Sequence, residues 1–183
     1  LEIPGFSDYL HPIGKDQLLG IGKDAALGER NITYHLGVKV SLFDVSDITQ
    51  PREVASKIIG RRGSNTELAY NHLAFTGIQT EDSYRFAFPI TVHEGQSDDA
   101  YNKDKVSAWH DWLHTGLYLF EVKEGTMTSP GVIITEEKTE EKKYPEFYGE
   151  NRGLIQGEHV YHLHGDKLYK AQWLNAQSAE GPF

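Results

Sequence analysis

Histidine is the richest reactive side chain in this sequence, with nine copies. His162 and His164 stand two apart in the run VYHLHG. On a β-strand, residues i and i+2 point to the same side, so both imidazoles could ligate one metal ion. A divalent-metal site needs a third ligand from another strand or loop, and His93, His110 and His114 are the available donors. The plainer reading is a pair of half-exposed strand histidines near a sheet edge. A second group lies in AWHDWLHT, where His110 and His114 are four apart. In a helical turn they would share a face, beside an apolar stripe of Trp109, Trp112 and Leu113. Two tryptophans in a loop could form a platform on which a sugar or peptide stacks, because aromatic faces pack on ligands and neighbouring surfaces. Trp109, His110, Trp112 and His114 are therefore the candidate ligand-binding residues, against the alternative of an ordinary packed loop.

Other clusters point less far. Asp98, Asp99, Asn102 and Asp104 supply hard oxygen ligands in one loop, but their spacing is not that of an EF-hand, and a solvated acidic loop is the simpler state. The stretch GIGKDAALG at 20–28 lacks the G-K-[ST] ending of a phosphate-cradling loop. No G-x-S-x-G elbow and no H-E-x-x-H pair occurs, so no catalytic residue is assigned. Asn31-Ile32-Thr33 is a formal glycosylation sequon.

Whatever these side chains do, the scaffold must be small and soluble in character. The chain has 183 residues, 25% of them charged and 38% hydrophobic, which fits one globular domain over 1–183. A net charge of −9 argues against nucleic acid as a partner. No apolar run is long enough for a membrane span. Cysteine is absent, which excludes disulfides, thiolate zinc sites and a cysteine nucleophile.

Strand patterns dominate. Tyr84, Phe86, Phe88, Ile90 and Val92 alternate with smaller or more polar residues, as in a half-buried strand, with Pro89 as a local blemish. Val38, Val40 and Leu42 share one face while Phe43 and Val45 hold the other, so both faces of that strand should be covered. VSLFDVSD at 40–47 matches LYLFEVKE at 117–124, and GDKLYKAQW at 165–173 is a fading third copy. Upstream of each copy lies a second repeated element, which aligns Tyr9 with Tyr70 and His11 with His72, and repetition favours structural roles for these residues. In GVKVSLFDVSDITQPREV, Asp44 and Asp47 should tie the turn by accepting backbone hydrogen bonds.

The unit reads as four antiparallel strands, repeated: a propeller blade. The expected fold is all-β, a partial β-propeller of about two and a half blades. A strand at 1–4 would finish an earlier blade, full blades follow at about 7–60 and 64–137, and an incomplete one lies at 151–173. Residues 22–36 and 94–115 read as insertions, and 135–147 as a charged connection. The chain opens on Leu1, so it is expected to be a piece of a longer protein. Its open blade edges would then invite self-association.

IPGFSDYLHPIGKDQLLGIG, GVKVSLFDVSDITQPREV, RRGSNTELAYNHLAF and YRFAFPITV, in that order, resemble the C-terminal β-propeller domain of secreted bacterial and archaeal proteins. That family is described as distantly related to WD repeats. The resemblance covers most of 3–122 and resumes more weakly at 152–173. It implies a propeller and a secreted or cell-surface location, and it carries no catalytic residue to this sequence. The expected function is a non-enzymatic extracellular interaction module that binds a protein or glycan partner through loops, chiefly 94–115. The alternative is a metal-dependent or hydrolytic enzyme using histidines and carboxylates. No cofactor is expected beyond a divalent metal at His162 and His164.

Overall fold

A computed structural model describes residues 3–95, 105–146 and 150–183. The structure is all-β, and no α-helix occurs among the described residues. The first sheet runs in chain order through β1 (Phe6–Ile13), β2 (Gln17–Leu27), β3 (Thr33–Asp44) and β4 (Arg52–Ile59). The second contains β5 (Asn65–Thr66), β6 (Thr76–Gln79), β7 (Tyr84–Gly95), β8 (Asp111–Lys123) and β9 (Thr126–Glu137). Its order is β5-β7-β8-β9, with β6 also paired to β7. The third is β10 (Asn151–Gln156), β11 (His159–His164), β12 (Lys167–Gln172) and β13 (Asn175–Glu180), again in chain order. The chain folds as two compact units, Leu1–Asn65 with Val92–Leu113, and Thr66–Thr91 with His114–Phe183.

In the first unit β3 is buried on both faces, as its two apolar faces require: Val38, Val40 and Leu42 on one, Lys39, Ser41 and Phe43 on the other. The polar pair is tolerated because it is satisfied. Lys39 Nζ lies 3.0 Å from Glu53 Oε1, which also accepts from Ser41 Oγ at 2.6 Å. The turn after β3 is built by its aspartates. Asp44 accepts from the backbone N–H of Ser46 and Asp47 from that of Thr49. Residues 22–36, expected as an insertion, are instead the ends of β2 and β3, joined by a 3-10 turn at Glu29–Asn31. The pairing of Ala25, Ala26 and Leu27 with His35, Tyr34 and Thr33 carries the ladder outward past a bulge near Lys23. Ile3 and Pro4 are not in a strand, and Leu1 and Glu2 lie outside the described residues.

In the second unit Phe86, Phe88 and Phe120 stack, with Phe86 and Phe120 ring centroids 5.0 Å apart and Phe88 and Phe120 at 5.4 Å. Such burial stabilises by about 2–3 kcal/mol per ring. The strand holding Phe86 and Phe88 is covered on both faces, since Ala87 between them is also fully buried. A further core gathers Leu117, Leu119, Ile133, Val160 and Trp173. Arg85 lies over the Trp173 ring at 5.1 Å and pairs with Glu121 and Glu158.

Two further features differ from expectation. The third sheet, expected to stop at 173 as an incomplete unit, has four strands. Its last strand, NAQSAE, offers only Ala176 and Ala179 as apolar residues, so it carries no alternating pattern of large side chains. In the second sheet the first strand is broken. Thr66 and Asn71 side chains cap Leu68 N and Leu73 N and start 3-10 turns at Glu67–Ala69 and His72–Ala74. His72 is therefore exposed on a turn, whereas His11 sits on β1 with its Nδ1 3.1 Å from Tyr9 Oη.

Candidate functional site

The first unit carries a cation held between aromatic rings. Its scaffold is the segment after β4, GRRGS at 60–64. Gly60 and Gly63 adopt φ of +67° and +116°, which side-chain-bearing residues rarely adopt. A Cβ at Gly63 would also lie 2.8 Å from the His93 ring. Backbone bonds pin the segment: Arg61 N donates to His93 O at 2.7 Å and His110 N to Arg62 O at 3.0 Å. His93 in turn donates its Nδ1–H to His110 O at 2.8 Å. Burial pushes the His93 pKa below its ordinary value, against the opposing effects of that hydrogen bond and of Asp111.

On this frame the Arg62 guanidinium lies 4.8 Å from the centroid of Tyr34 and 4.5 Å from that of Trp109, and donates to Ser107 O. A guanidinium fixed in this way is oriented before any ligand arrives. A cleft of about 600 Å³ is lined by Arg61, Arg62, Glu94, Lys105 and His110 among others. A smaller one of about 320 Å³ is lined by Lys23, His35, Arg62, Ser64 and Trp109 among others.

Of the four predicted ligand-binding residues, Trp109 and His110 belong to this surface. Trp109 is 62% exposed, and His110 donates its Nδ1–H to Gly95 O at 3.1 Å. The other two do not join them. β8 begins at Asp111, so the segment is strand and not helical turn, and the alternation sends Trp112 into the core at 1% exposure. His114 lies in the second unit, its Nε2 2.8 Å from Tyr118 Oη. The two-tryptophan platform is therefore corrected to a single exposed indole stacked on Arg62. Arg62, Tyr34 and Lys105 went unnoticed because they come from three separate segments. The only local signal was an arginine pair between glycines. Asp98, Asp99, Asn102 and Asp104 lie outside the described residues. The glycine-rich stretch at 20–28 is mostly strand β2, which removes it as a phosphate loop.

The second unit holds a cluster of buried polar groups. Glu67 Oε2 accepts from Asn151 N at 3.0 Å and Asn151 Nδ2 at 2.8 Å, and its Oε1 accepts from Asn71 Nδ2 and Arg152. Asn151 Oδ1 accepts from His164 Nδ1, and His164 Nε2 lies 3.6 Å from Glu136, which pairs with Lys142 at 3.0 Å. His162 and His164 do share one side of β11, with rings 5.6 Å apart, but both are buried and not half-exposed. Among the described residues neither ring nitrogen of His162 has a hydrogen-bond partner, and burial, then His164, lowers its pKa to about 3. Among the described residues no group of three or more His, Asp or Glu is arranged to hold a metal ion. No helix among them is long and apolar enough to cross a membrane.

Two archaeal proteins are similar to parts of the chain. An uncharacterised protein of Archaeoglobus fulgidus is 41% identical over 75 residues, 41% of this chain and 10% of that protein. An uncharacterised protein of Methanocaldococcus jannaschii is 48% identical over 54 residues, 30% of this chain and 7% of that protein. The matched segments thus span a tenth or less of these relatives. No solved structure matches. The family model for the beta propeller domain matches residues 1–175, and with three repeated antiparallel sheets beneath that match, the chain belongs to the beta propeller domain family.

Proposed function

We propose that this chain is a non-enzymatic interaction module, working outside the cell or at its surface, that binds a protein or glycan partner through the Arg62–Trp109 surface of its first unit. A β-propeller is a scaffold in which packed sheets hold loops in fixed positions. The observation that carries the reading is the Arg62 guanidinium clasped between Tyr34 and the exposed Trp109, with clefts bordered by Arg62. A large aromatic ring left in water beside an oriented cation is the kind of anchor that binding surfaces use. The extracellular setting rests on the resemblance of the sequence motifs. The test is an array of glycans and surface proteins probed with the purified chain. Hits should vanish with Trp109→Ala, and binding that survives this change at full strength overturns the assignment. The competing reading, a metal-dependent or hydrolytic enzyme, would have to use His162 and His164. Stoichiometric metal in the purified protein, lost with His162→Ala, would favour it.

A further inference from the structure

We propose that the two clefts bordered by Arg62 recognise a carboxylated glycan, a chain of uronic-acid sugars, rather than a neutral one. The proposal rests on the reading of this surface as a binding site and specifies its ligand. Its first support is charge. The two clefts are lined by Lys23, Arg61, Arg62 and Lys105, against the carboxylates Asp24 and Glu94. Among the described residues the linings thus hold four cations against two anions, with Lys105 also 3.7 Å from Glu29 Oε1, in a chain whose net charge is −9. Among the described residues the smaller cleft has no carboxylate in its lining. A concave site with a surplus of one sign concentrates ligands of the other.

The second support is preorganisation. Arg62 is held by two rings and by Ser107 O, so little side-chain freedom is lost when it meets an anion. Lys23 donates to Ser64 O, and an ammonium carries three N–H donors, so it can serve a ligand carboxylate as well. Burial lowers the Lys23 pKa despite Asp8 nearby, and an arriving anion would favour its charged form.

The third support distinguishes a sugar from an acidic peptide. Trp109 borders the smaller cleft and remains 62% exposed although Arg62 covers part of it. A uronic acid ring offers an apolar C–H face and a carboxylate on one rigid body, which suits an indole beside fixed cations. An Asp or Glu side chain offers the carboxylate without the face. The cleft volumes, about 600 and 320 Å³, lie in the usual range for small-ligand sites, roughly 300–1,000 Å³.

The test is titration of the purified chain with oligogalacturonate, neutral galacto-oligosaccharide and polyglutamate, read by calorimetry and tryptophan fluorescence. Trp112 and Trp173 are buried, so quenching by the ligand reports Trp109. Oligogalacturonate should bind, and its affinity should fall about tenfold in Arg61→Gln/Lys105→Gln and again when salt is raised from about 0.05 to about 0.5 M. Lys23→Gln should weaken it further, with each variant's melting temperature confirming the fold. Neutral sugar bound as tightly as the uronate, still through Trp109, leaves the interaction module standing and overturns the acidic ligand. Preference for polyglutamate overturns it too, as does absence of uronate binding by folded protein.

Discussion

Two polar clusters, one in each unit, handle their side chains in opposite ways. In the first, Arg62, Trp109, Lys105 and Arg61 border clefts open to solvent. In the second, Glu67, Asn151 and His164 are linked by hydrogen bonds out of water, with Glu136 3.6 Å from His164. Antiparallel sheets can thus leave charged groups in water or link them to one another inside. Burial decides which, because a buried charge without partners is too costly to keep. Exchanging or removing single residues should expose the contrast.

The largest effect should come from two tryptophans three residues apart. Trp112→Ala empties a fully buried site and should cost about 4 kcal/mol of stability. Trp109→Ala removes an exposed ring and should cost about 1 kcal/mol or less, while abolishing ligand binding. Urea melts of the two variants check this. Equal losses would mean that Trp109 is a packing residue and not an anchor.

Next comes Glu67. Its carboxylate accepts from four groups, so Glu67→Ala leaves Asn151 N–H and Nδ2 without their acceptor and should destabilise by about 3 kcal/mol. Glu67→Gln retains oxygen Oε1 as an acceptor and should cost less. The matched change in the first unit, Glu94→Ala at an exposed cleft wall, should stay within about 0.5 kcal/mol. Thermal melts of all three separate an internal network from an open one.

The blade repeat was legible because its signal is local and apolar. Leu42-Phe43-Asp44-Val45 and Leu119-Phe120-Glu121-Val122 sit at the ends of β3 and β8, the third members of their repeats. What a polar residue does was less legible. Glu67 stands in a polar run, ELAYNH, and only the partners brought by β10 show that it is buried. Arg62 likewise needs Tyr34 from the hairpin and Trp109 from beyond β7, contacts that no local spacing encodes. Trp112 and His114 were misjudged because 94–115 was read as an inserted loop, whereas pairing in the second sheet makes it strand from Asp111 onward.

A smaller effect should follow pH. His162 titrates near 3 in the folded chain and near 6.5 when unfolded. Between those values the unfolded chain binds a proton that the folded one excludes, so stability falls as pH drops below about 6.5 and stops falling below about 3. At about 1.4 kcal/mol per pH unit, His162 alone accounts for about 2 kcal/mol between pH 7 and pH 5. The His164 pKa is lowered too, chiefly by burial, and adds in the same direction. His162→Leu should flatten this slope, and denaturant melts across the range measure it. A slope unchanged by the substitution would mean that His162 is reached by water.

The smallest effect tests what hydrogen bonds do to a carboxylate at the surface. Asp44 lies at the surface, partly covered, and its pKa is lowered to about 2, chiefly by the Ser46 hydroxyl and backbone N–H and then by Arg52. Glu67, by contrast, receives its hydrogen bonds inside the protein. If the Asx turn holds the Asp44 charge locally, Arg52→Ala should raise its pKa only part of the way back, and Ser46→Ala should raise it further. Carbon-detected NMR titration of the Asp44 carboxyl reads both. The reverse order would make the ion pair with Arg52, and not the turn, the source of the shift, and would place this surface carboxylate under charge control.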